Sequence, residues 1–116
     1  MARPAQACYA EGVRAFKHPP LDEVTAADLF YALSDPVRLE IVRQLGRESE
    51  ASCGALDGGR PKSSMSHHFR VLREAGLVRT RNQGVVHMNA LRREELEQRF
   101  PGLLDAVLKA ADTAGQ

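Results

Sequence analysis

The chain is expected to fold as a mainly α domain with one small β-hairpin, an α+β arrangement, and three observations carry that expectation. Apolar residues recur at helical spacing in four separate stretches. Two short segments around Asn82-Gln83-Gly84 have strand character instead. The whole chain is 116 residues, enough for one modest core and too short for a deep cleft between domains.

Taken in order, residues 1–20 read as an N-terminal arm, helical in part, closed by His18-Pro19-Pro20, where consecutive prolines remove donors and hold the backbone extended. A single domain is expected over 21–113. From Asp22 to Leu33 the residues Val24, Ala27, Phe30 and Tyr31 fall at helical spacing. Ser34-Asp35-Pro36 interrupts them, and Pro36 suits the first turn of a second helix capped by Ser34 or Asp35. There Val37, Ile41 and Leu45, with Val42 beside them, form one apolar face, and Gly46 is expected to end the helix. The polar, glycine-rich stretch Arg47 to Lys62 leaves room for a short helix around Cys53 to Asp57. From Ser63 the helical pattern returns: Met65, Phe69 and Leu72 face inward, Ser63, His67, Arg70 and Glu74 face outward, and Gly76 closes the helix as a left-handed cap. Leu77 to Arg81 and Val85 to Asn89 read as the two strands of a hairpin. Arg92 to Phe100 is a charged helical turn or two. Pro101 opens a terminal helix whose stripe Leu104, Val107, Leu108 and Ala111 is expected to pack on a partner.

Charge points to the ligand. Between Arg60 and Arg93 the chain carries Arg60, Lys62, Arg70, Arg73, Arg79, Arg81, Arg92 and Arg93 against Glu74 alone, a local net charge of +7 within a chain of formal net charge +1. Such polarisation is the electrostatic footprint of a polyanion-binding face. A helix with a polar outer stripe followed by a charged hairpin reads as a DNA-reading helix and its wing.

Three blocks make the chain resemble the ArsR/SmtB winged helix-turn-helix repressors. Phe30 to Leu39, FYALSDPVRL, is similar to that family's helix end, Asp-Pro turn and Arg-Leu start. Met65 to Val78, MSHHFRVLREAGLV, resembles its recognition helix, and Arg79 to Asn89 its wing. The resemblance spans about residues 22 to 108. It implies a homodimer joined through the first and last helices, which would place two recognition helices in successive major grooves of a double-stranded operator and block RNA polymerase.

The expected DNA-contacting residues are Lys62, Ser63, Ser64, Ser66, His67, Arg70 and Arg73 on the recognition helix, Arg79, Arg81, Asn82 and Gln83 on the wing, and Arg38. Arg38 has a second reading, an ion pair with Glu40. His68, on the Met65 side, suits a partly buried hydrogen bond as well as a DNA contact. Leu104, Val107, Leu108 and Ala111 are the expected dimer interface. Val85 stands where family members often carry an arginine after the turn glycine, which weakens the expected minor-groove grip, and Pro61 replaces a polar cap.

No metal and no cofactor are expected. The family's thiolate site needs two cysteines one residue apart in the short helix, where this chain has Cys53 alone, and its terminal-helix site uses histidines, which Leu91 to Gln116 lacks. Cys8 and Cys53 have two readings, a redox pair as in some relatives or small buried residues. The reading is of a cytoplasmic protein with no membrane partner and an unidentified effector. An enzyme is not expected, since no nucleophile-base arrangement or phosphate-binding glycine loop is present. The alternative function is a winged-helix protein-interaction module without sequence-specific DNA binding.

Overall fold

The computed structural model describes residues 16–114, so most of the expected arm lies outside the described residues. After one 3-10 turn at Leu21–Glu23, six helices and three strands follow: α1 (Ala26–Leu33), α2 (Pro36–Arg47), β1 (Ala51–Ser52), α3 (Cys53–Leu56), α4 (Lys62–Glu74), β2 (Val78–Gln83), β3 (Val86–Leu91), α5 (Arg93–Arg99) and α6 (Leu103–Ala114).

Local chemistry sets the helix boundaries. α1 starts at Ala26 and not at Asp22, because Thr25 and Asp28 form a reciprocal capping box in which each side chain accepts the other's backbone N–H. Asp35 caps α2 by accepting from the amides of Val37 and Arg38, while the Ser34 hydroxyl turns back to donate to the carbonyl of Tyr31. Gly46 does not end α2. It lies inside the helix, where a Cβ would stand 2.7 Å from Cδ2 of Leu108, so the missing side chain lets α6 pack against α2. α4 starts one residue early, at Lys62, with no side-chain cap at Pro61. Gly76 follows α4 with φ +85°, and an added Cβ would meet Val24 at 2.8 Å, so both conformation and space require glycine there.

The sheet is antiparallel in the order β1-β3-β2. The sequence pattern missed β1 because two residues carry no periodicity. Its pairing of Ala51 with Asn89 and Ser52 with Met88 ties the hairpin to the helical body. The hairpin turn is also one step later than expected. Asn82 and Gln83 belong to β2, Gln83 pairs with Val86, and the two turn residues are Gly84 and Val85, with Gly84 at φ +63°. Glycine at the first of two turn positions matches the twist of a two-residue hairpin. α6 begins at Leu103, after Pro101 and a left-handed Gly102.

One core joins these elements: Leu29 from α1, Ile41, Val42 and Leu45 from α2, Met65, Phe69 and Leu72 from α4, and Val78 from β2, all almost fully buried. Each such side chain stabilises the fold by roughly 1.5–3 kcal/mol. The three from α4 fix that helix's rotation, so its opposite face is held outward.

Candidate nucleic-acid interface

Inward locking of Met65, Phe69 and Leu72 leaves Lys62, Ser63, Ser64, His67 and Arg70 exposed on the first two and a half turns of α4. His67 and Arg70 also line an open groove between α4 and α1, together with Asp28, Tyr31 and Glu74. Arg70 forms no ion pair among the described residues, so its guanidinium, always charged and rich in donors, is available to an outside acceptor.

Three of the residues expected at DNA are buried instead. Ser66 lies on the core side of α4. Arg73 is buried with its guanidinium 4.6 Å from the ring centre of Phe16. Arg38 is buried and does not pair with Glu40. From the first turn of α2 its Nε donates to the carbonyl of Ala32 (2.8 Å) and Nη2 to that of Tyr31 (3.4 Å), satisfying carbonyls at the C-terminal end of α1. Glu40 pairs with Arg43 instead.

The same arginine fastens the recognition helix. Arg38 Nη1 lies 3.3 Å from Nδ1 of His68, and because arginine can only donate, that ring nitrogen is the acceptor and the proton sits on Nε2. Asp35 Oδ2 is 3.8 Å from the same nitrogen. Burial pulls the His68 pKa below its ordinary value against the attraction of Asp35, with Arg38, His67 and Arg60 adding to the downward shift. His68 therefore joins α4 to the α1-α2 turn as a partly buried hydrogen-bonding residue.

On the wing, Arg79, Arg81 and Gln83 share the exposed face of β2, and Asn82 is half-buried. Both arginines are already engaged. Arg79 Nη2 donates to Glu95 Oε1 at 2.6 Å, and Arg81 holds Glu50 through two bonds of 2.8 and 2.6 Å. The hairpin tip is apolar, with Val85 94% exposed and Val86 beside it.

The root of the hairpin is polar inside, which periodicity did not reveal. Buried Asn89 accepts from the Thr80 hydroxyl at 2.7 Å and donates to the carbonyl of Ala51 and toward Cys53 Sγ. Cys53 is buried and disulfide-bonded; Cys8, with which it was read as a pair, lies outside the described residues. On the outer edge of β2, His18 Nε2 accepts the Thr80 amide at 3.0 Å. Burial and then the neighbouring Arg79, Arg92 and Arg73 lower the His18 pKa to about 4, so it is a neutral acceptor at pH 7. Among the described residues no cluster of three His, Cys, Asp or Glu side chains could hold a metal ion, and no helix is long and apolar enough to cross a membrane.

The residues expected at a dimer interface are divided between inside and outside. Leu104 and Ala111 are buried in the chain's own core, whereas Val107 and Leu108 are partly exposed. On α1, Phe30 and Tyr31 are 55% and 61% exposed. Leu29 and Leu33 of α1 and Leu103, Leu104 and Val107 of α6 line one apolar pocket together with Leu77, Leu96 and Phe100.

A helix pair with an Asp-Pro turn, a third short helix, a core-locked fourth helix with a polar outer stripe and a hairpin behind it define a winged helix-turn-helix protein. Comparison with known proteins agrees. A helix-turn-helix domain model matches residues 33–81, from the end of α1 into β2. The uncharacterized HTH-type transcriptional regulator YceK of Bacillus subtilis is 37% identical over 89 residues, covering 74% of this chain and 89% of that protein. The structure of HlyU from Vibrio cholerae superposes with a TM-score of 0.64 at 26% identity, covering 78% of this chain and 92% of that one. The crystal structure of an ArsR family transcriptional regulator superposes with a TM-score of 0.57 at 25% identity, covering 77% and 93% respectively. The chain belongs to the ArsR family of helix-turn-helix transcriptional regulators, which are DNA-binding proteins and not enzymes.

Proposed function

We propose that the protein is a homodimeric repressor that reads an operator through the exposed face of α4, with Ser63, Ser64, His67 and Arg70 reaching base edges and phosphates and Lys62 a phosphate. The observation that carries this reading is the fixed rotation of α4: core burial of Met65, Phe69 and Leu72 turns a polar, donor-rich stripe outward. The wing adds Gln83 and Asn82 near its tip and Arg79 and Arg81 on its flank. Ser66, Arg73 and Arg38 support that surface from behind it.

Exposed Phe30 and Tyr31 on α1 and the partly exposed Val107 of α6 support a two-fold interface built from the first and last helices. Repression would end when a signal binds the DNA-incompetent arrangement of the two α4 helices more tightly than the competent one.

Fluorescence-anisotropy titration against DNA from upstream of the protein's own gene and against a scrambled duplex, at two salt concentrations, tests the reading. Preference for the upstream DNA by about a thousandfold, with affinity falling steeply as salt rises, is the expected result. Equal binding to both duplexes at every salt concentration would overturn operator reading and favour the interaction-module alternative. Sedimentation as a monomer would overturn the two-half-site arrangement.

A further inference from the structure

The hairpin from Val78 to Leu91 carries two arginines, and each rests on a carboxylate from a different element. Arg81 grips Glu50, in the connection before β1, with Nε and Nη2 on the two carboxylate oxygens. This fork is the arrangement with which a guanidinium also grips phosphate, so carboxylate and DNA backbone compete for the same donors. Arg79 rests on Glu95 of α5. Glu95 is itself fixed by the buried Arg92, whose Nε and Nη2 donate to its two oxygens and whose Nη1 donates to the carbonyl of Pro19. Both carboxyls are ionised at neutral pH: the Arg81 hydrogen bonds hold Glu50 below its ordinary value, and those of Arg92 and Arg79 hold Glu95 at about 2.

We propose that Glu50 and Glu95 act as a brake on sequence-independent DNA binding by occupying Arg81 and Arg79, so that a backbone phosphate must displace a carboxylate before either arginine holds it. The inference rests on the DNA-reading function proposed above. Arg79 and Arg81 remain about half exposed, so each donor is reachable once its carboxylate swings aside. Exposed ion pairs of this kind are individually weak, and the exchange is open to a phosphate at close range. The effect of the carboxylate lies in the accounting of charge: an arginine still held by its carboxylate neutralises no phosphate and releases no counterion from DNA, and after exchange the freed carboxylate stands near the backbone and offsets the Coulombic gain. The wing therefore contributes shape and polar contacts while adding little to the non-specific attraction that would hold the protein on arbitrary sequence.

Glu50 provides the clean test, because it is partly exposed and among the described residues engages Arg81 alone, whereas loss of Glu95 also removes the carboxylate partner of the buried Arg92. Binding of the scrambled duplex is measured by anisotropy across a salt series for the unmodified protein, Glu50→Gln and the double variant Glu50→Gln/Arg81→Gln. Glu50→Gln is expected to tighten binding about fivefold, the effect of one unit charge at contact distance in water. Its plot of log affinity against log salt is expected to steepen by about 0.9, one additional phosphate neutralised. Adding Arg81→Gln to Glu50→Gln is expected to abolish both the gain in affinity and the added slope. Unchanged or weaker binding by Glu50→Gln, or a gain that persists in the double variant, overturns the inference while leaving the DNA-reading function standing. Absence of DNA binding by all three proteins overturns both.

Discussion

α4 and the β2-β3 hairpin each present two exposed cations, Lys62 and Arg70 on the first, Arg79 and Arg81 on the second. Their surroundings differ. Arg70 stands beside His67 and the serines of the first turns with no ion pair among the described residues, and the face it belongs to is held in place by three core side chains. Both wing arginines are held by carboxylates, and the turn between the strands is Gly84-Val85 with the exposed Val86 beside it. Formal charge therefore overstates what the wing offers a polyanion. Of the eight cations between Arg60 and Arg93, Arg73 is buried, Arg79, Arg81 and Arg92 are ion-paired, and Arg93 donates to the carbonyls of Leu45 and Gly46 at the end of α2. Arginine is as much a binder of backbone carbonyls here as a candidate for phosphate.

The largest effect should fall on α4. Arg70→Ala is expected to weaken operator binding by about 1–3 kcal/mol, roughly five- to 150-fold, with an unchanged melting temperature. Anisotropy and a thermal melt on the same preparation check it; a loss of less than threefold would remove the distinction between helix and wing.

Next comes the hairpin root, where Asn89→Ala leaves the Thr80 hydroxyl and the Ala51 carbonyl without their partner. About 2 kcal/mol of stability should be lost, since stranding buried polar groups costs more than a typical hydrogen bond contributes. Denaturant unfolding measures this, and a neutral substitution would mean that the root is not rigidly tied.

A smaller effect is expected from pH. The folded-state pKa of His18 is depressed to about 4 by burial and by Arg79, Arg92 and Arg73, with Glu95 pulling the other way. Its contribution is therefore complete above the unfolded value near 6.5 and is lost as pH falls from there toward 4. Protonating Nε2 removes the acceptor of the Thr80 amide. The melting temperature of the unmodified protein should fall across that window by the equivalent of roughly 1–2 kcal/mol. His18→Gln, whose amide oxygen accepts at any pH, should flatten the decline. Equal declines in both proteins would assign the pH dependence to other groups.

The smallest effect is Arg81→Ala, expected to change operator affinity by less than about threefold, because exposed pairs contribute little and this arginine already holds an anion. A loss matching that of Arg70→Ala would show that phosphate displaces Glu50 readily and that the wing equals the helix.

Most of the scaffold was legible in the sequence. The Asp35-Pro36 start of α2, the Met65-Phe69-Leu72 spacing and Gly76 placed the helices that matter, because each is a local rule: a cap, a 3.6-residue period, a left-handed residue. Boundaries slipped where tertiary packing outweighed a local signal. Gly46 looked like a stop and is a contact point for Leu108, and the hairpin turn moved to Gly84-Val85 when β3 found its register with β1 as well as β2.

By itself, the sequence determined the family, the order of the helices and the hairpin, and which face of α4 looks outward, since these follow from periodicity and motifs within about a dozen neighbouring residues. Only the tertiary structure decided which charges are available. The partners of Arg38, Arg79, Arg81 and Arg92 include His68, Glu95, Glu50 and the Pro19 carbonyl. Several of these lie dozens of residues away, and no periodicity encodes a meeting that depends on how helices and sheet pack in space.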